Sequence, residues 1–71
     1  MNGPDWLAAF AVALLTDPPT EAELDAVLEL AGVAAHASER IAAPVACWMA
    51  ARAGVDLPEA LALAREVGGD G

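Results

Sequence analysis

Prolines and glycines punctuate this chain at intervals that leave room only for short helices. Pro18-Pro19, Pro44, Gly54, Pro58 and Gly68-Gly69 divide it into four helix-length pieces. Proline lacks an amide proton and restricts the residue before it, while glycine readily takes the left-handed conformation that ends a helix. Alanine dominates between the breaks, with no Tyr, one Phe and two Trp. Alanine is the best helix former, and the aromatic residues that strands favour are scarce. The chain therefore reads as all-α. We expect a compact bundle of four short helices, at about residues 5–15, 21–37, 44–53 and 57–67, forming one domain over residues 1–71.

Each piece carries its own start and stop signals. Asp5 can cap the first helix, in which Trp6, Leu7, Phe10 and Leu14 share a face. Thr20 and Glu23 form a capping box for the second, with Leu24, Val27, Leu28, Ala31 and Ala35 at helical spacing. Gly32 inside that helix costs about 1 kcal/mol against alanine, which points to a close helix crossing there. Glu29, His36 and Arg40 share a second stripe if the helix persists that far. Pro44 either kinks that helix or starts a new one. We place a turn within residues 38–43 and a third helix whose apolar face is Val45, Trp48 and Met49, closed by Gly54. Asp56 and Pro58 open the fourth, lined by Leu57, Leu61, Ala64 and Val67. Gly68-Gly69 should end it in a frayed tail.

A chain of 71 residues buries only about 60% of its unfolded surface, so its stability margin is thin. Cys47 is the one cysteine and His36 the one histidine. An internal disulfide is ruled out, and a zinc site finds too few ligands. Tight packing and a partner subunit remain as sources of stability, so a homodimer is expected. The formal charge is −8, from eleven acids against Arg40, Arg52 and Arg65, with no lysine. Such a surface repels phosphate backbones and anionic lipid headgroups, which argues against nucleic-acid binding. The longest charge-free runs, residues 6–16 and 41–51, fall short of the roughly 20 residues that span a bilayer. No secretory signal pattern is evident, and a cytoplasmic location is expected.

The chemistry-bearing residues gather between His36 and Gly54. His36 reads either as a surface or half-buried histidine bonded to a neighbour such as Glu29 or Glu39, or as a recognition residue. Arg40 lies one helical turn on. Its planar guanidinium suits carboxylate or phosphate recognition, against the plainer reading of an ion pair with Glu39. Arg52 can complement the C-terminal end of the third helix or close the same surface. Trp48 reads as core or as an interface anchor. Cys47 reads as a small buried hydrophobe. No nucleophile elbow, phosphate loop or paired-acid setting is present, so no catalytic residue, metal or cofactor is assigned.

The run from His36 through Glu39-Arg40-Ile41-Ala42-Ala43-Pro44 to Cys47-Trp48-Met49, Arg52 and Gly54 resembles a small helical domain family of high-GC bacteria. Its members stand alone or are fused to nucleotidyltransferases similar to molybdenum cofactor guanylyltransferase. The matching positions are His36, Arg40, Ala42, Ala43, Pro44 and Gly54, within a likeness that covers nearly the whole chain. Where members often carry glycine late in the third helix, this chain has alanine or Arg52. The resemblance implies a non-catalytic accessory module in molybdenum cofactor (guanine dinucleotide) biosynthesis or molybdoenzyme maturation, contacting a protein partner. The contact candidates are His36, Glu39, Arg40, Pro44, Trp48 and Arg52. The alternative is a small-ligand protein that grips an anionic pterin or nucleotide with Arg40 and His36.

Overall fold

In the computed structural model, which describes residues 1–67, the chain forms α1 (Gly3–Leu14), α2 (Glu21–Ala37), α3 (Ala42–Ala53) and α4 (Leu57–Glu66). No strand occurs among the described residues, and the all-α expectation holds. The expected stop at Gly68-Gly69 lies outside them. α1 starts earlier than the sequence reading placed it. Its cap is Asn2, not Asp5: the Asn2 Oδ1 accepts the Asp5 amide at 2.8 Å. Asp5 instead sits in the first turn, where a carboxylate suits the positive end of the helix dipole. The capping box of α2 is complete, with Glu23 N–H donating to Thr20 Oγ1 at 3.1 Å and Thr20 N–H to Glu23 Oε1 at 2.8 Å. Asp56 caps α4 through the Glu59 amide at 2.9 Å.

α2 organises the molecule because both α3 and α4 pack along it. Leu30, only 3% exposed, sits at the junction with Ala60 and Leu61, and Val33, Cys47 and Val55 pack around this cluster. A helix with two partners needs a wide buried arc, and that arc runs through Leu30 and Val33. Leu28, expected inside, is exposed. Gly32 marks no close crossing: a Cβ built there meets nothing within 4 Å.

α3 departs from the sequence reading in which side it buries. Cys47 and Ala50 face the Leu30 cluster, whereas Val45, Trp48 and Met49 are all exposed. Apart from Arg52 in its last turn this helix is apolar all round, so the spacing of its apolar residues gave no inward direction. The small-residue side wins because it lets α3 and α4 share one neighbour at close range.

α1 makes no extensive packing with the other three helices among the described residues; Ala11, 5% exposed, is its one buried side chain. It ends in a Schellman arrangement, with Thr16 N–H donating to the Ala11 carbonyl at 3.0 Å and Leu15 N–H to that of Val12 at 3.1 Å. The left-handed position, usually glycine, is Leu15 at φ 60°. This conformation costs a residue with a Cβ about 1–2 kcal/mol. The radius of gyration is 12.9 Å, against about 11 Å for a compact chain of this length.

Candidate functional site

The turn between α2 and α3 sets the geometry of the candidate residues. Ser38 ends α2, its Oγ donating to the Ala34 carbonyl at 2.9 Å. α3 has no side-chain cap, yet its first amides are cared for. Ala42 N–H donates to the Glu39 carbonyl at 3.0 Å and Ala43 N–H to that of Arg40 at 3.1 Å. Pro44 follows with no amide to satisfy. It therefore starts a helix and does not kink one, which answers the question its sequence position posed. α3 begins at Ala42, two residues before the expected Pro44.

Because α2 stops at Ala37, the expected Glu29–His36–Arg40 stripe does not form. Glu29 pairs across to Arg65 of α4 instead. His36 is exposed in the last turn of α2, where a basic ring suits the negative end of the dipole. It takes part in none of the side-chain hydrogen bonds among the described residues, so a bond to Glu29 or Glu39 is not what holds it. Glu39 and Arg40 stand exposed at the apex of the turn, and Pro44 is exposed in the first turn of α3.

Trp48 and Arg52 form the most defined pair in this region. The Arg52 guanidinium carbon lies 5.1 Å from the centroid of the Trp48 ring, within cation–π range. Trp48 is nevertheless 59% exposed. Ile41, Val45, Trp48 and Arg52 are spaced four, three and four apart, so they run as one ridge down the side of α3 turned from the core. Among the described residues Arg65 is in an ion pair and Arg40 and Arg52 are in none. Two of the chain's three cations thus border one apolar ridge.

Cys47 lies on the opposite side of α3. Its Sγ is 3.8 Å from the Val27 carbonyl oxygen, and burial pushes its thiol pKa up. A thiol held protonated is a poor nucleophile, in keeping with its reading as a small hydrophobe. No cluster of three or more metal-ligating side chains occurs among the described residues. None of the described helices is long and apolar enough to cross a membrane. Sequence reasoning missed two further elements: the exposure of α1 and an apolar groove between α3 and α4. The abundance of alanine was their only trace, since grooves open where facing side chains are too short to meet. Comparison with family models, curated proteins and solved structures gave no match.

Proposed function

We propose that this domain is a non-catalytic interaction module that docks a protein partner through the outer ridge of α3. The carrying observation is Trp48, held against Arg52 on the solvent side of a helix whose inward side is alanine and cysteine. A tryptophan and an arginine are the side chains that most often dominate binding energy at protein interfaces. The contact, worth about 0.5–1 kcal/mol at an exposed site, biases both side chains toward one arrangement before docking and so lowers the entropy lost. Arg40 and Pro44, at the upper end of the ridge, extend the same surface, with Glu39 and His36 beside them at the turn.

The partner class follows from the sequence resemblance: a nucleotidyltransferase of the molybdenum cofactor guanylyltransferase type, or a protein that matures molybdoenzymes. The anionic-ligand alternative would use Arg40 and His36, but neither lines the α3–α4 groove or the smaller groove at Val27, Cys47 and Leu57. Small-ligand sites are concave, whereas protein docking requires only a ridge. That difference is why we prefer the interaction reading.

Isothermal titration against such a nucleotidyltransferase, both at micromolar concentration, should give saturable heat. Trp48→Ala should weaken binding at least about tenfold, the scale of a lost aromatic anchor. Absence of heat and of any change in co-elution with wild type would remove the reading.

A further inference from the structure

An open groove of about 460 Å³ lies between α3 and α4, floored by the C-terminal half of α2. Its lining is alanine-rich, with Met49 and Leu63 among the larger side chains and Ser38 the one polar residue. α1 has the opposite character. Trp6, Phe10 and Leu14 run along one of its sides, 53%, 45% and 56% exposed, and the first two rings stack at 5.0 Å between centroids. One chain thus has an open apolar slot and a bulky helix side that is about half exposed.

We propose that α1 of a second copy lies in this groove, and reciprocally, so that two chains form a two-fold dimer by exchanging their first helices. Four observations converge on a second copy as the occupant. The dimensions agree: the Trp6-to-Leu14 stripe is about 12 Å long, and the groove walls at residues 46–53 and 60–67 are each about 10 Å. Large side chains would enter a slot walled by small ones.

Charge points the same way. Two copies at −8 each repel, and the repulsion is least where neither contributes charge to the contact. Residues 6–16 carry none, and neither does the groove lining. The exposed area also matches. The chain exposes 5343 Å², where a folded 7.2 kDa monomer exposes about 4,100 Å². The excess exceeds the roughly 800 Å² per partner of a standard interface. Finally, residues 15–20 make a poor hinge for folding α1 back onto its own chain. They hold the left-handed Leu15 and the stiff Pro18-Pro19 pair, and short strained hinges favour exchange. The α3 ridge stays outside this contact, so the inference is independent of partner docking.

Sedimentation equilibrium of the full chain from micromolar to millimolar concentration should give twice the 7.2 kDa chain mass. Phe10→Glu and Leu63→Glu should each raise the dimer dissociation constant at least about 30-fold, with helix content by circular dichroism retained. Should Leu63→Glu lose its helices, Met49→Glu tests the same groove from its opposite, α3 wall. Trp48→Glu should leave the dimer unchanged, which separates this outcome from that of partner docking. In a Cys47→Ala background, a chain with Phe10→Cys mixed with a chain with Leu63→Cys should oxidise to a linked heterodimer. A species of single-chain mass at every concentration would overturn the proposal. So would a dimer indifferent to Phe10→Glu, or a chain bearing both cysteines that closes on itself.

Discussion

Leu30→Ala is the sharpest test of which side of α2 faces the core. The substitution removes three carbons from a side chain that is 3% exposed. At about 0.8 kcal/mol per buried methylene, the transfer loss is about 2.4 kcal/mol. Leu→Ala changes in closed cores cost up to about 5 kcal/mol, because the cavity left behind adds its own penalty. That addition should be small here, since Leu30 borders two open grooves and water can enter the space it vacates. We therefore expect a loss of 2–3 kcal/mol, near the low end of the range. A domain of this length has about 4–10 kcal/mol in total, so the change removes a large share and lowers Tm by about 10–20 °C. Urea denaturation followed by far-UV circular dichroism, at one fixed protein concentration, measures it. Leu28→Ala is the control. Leu28 lies two residues away, was expected to be buried and is exposed, so it should cost under about 0.5 kcal/mol. Equal losses at the two positions would refute the orientation of α2 described above.

Leu15→Gly should stabilise α1, because it relieves about 1–2 kcal/mol of left-handed strain against about 0.5–1 kcal/mol of added chain entropy. The side chain is 93% exposed and contributes little burial, so slower amide exchange in α1 is the readout. Cys47 should react with iodoacetamide more slowly in the folded chain than in urea, with the gap narrowing at alkaline pH. A thiol pKa raised by folding means that its contribution to stability is complete below the ordinary thiol pKa and lost as pH rises through the raised value; a stability profile flat in alkali for wild type and Cys47→Ala alike would contradict this. Arg65→Ala should cost no more than about 1 kcal/mol in a denaturant titration, since its partner Glu29 is also exposed.

Much of the fold was legible because helix punctuation is local chemistry. Thr20 with Glu23, Asp56 with Glu59, and Gly54 at φ 76° could be read from neighbours within a few residues. For α1 two competent caps, Asn2 and Asp5, lie three apart; Asn2 takes the role, which leaves Pro4 in the first turn and the Asp5 amide as the capped donor. Orientation proved less legible than location. α2 and α3 are apolar over more than one side, so the residues facing inward depend on how many neighbours each helix must serve. That is a tertiary quantity, and it sent Leu28 and Trp48 outward. The candidate residues were found as a cluster in sequence, but the partition into a turn apex with Glu39 and Arg40 and a ridge with Trp48 and Arg52 rests on where α2 ends. That end is Ser38, whose backbone leaves the helical region at φ −143° and ψ −95° while its hydroxyl bonds the Ala34 carbonyl.

The outward bulk of α3 has a colloidal consequence. Ile41, Val45 and Trp48 would make molecules stick wherever they collided, were it not for the halo of carboxylates that keeps approaching surfaces at a distance. Acidification toward the isoelectric point near 4.1 discharges that halo while leaving the greasy ridge intact. Turbidity should therefore climb on mild acid titration well before the helices melt, and added salt should bring the onset to higher pH.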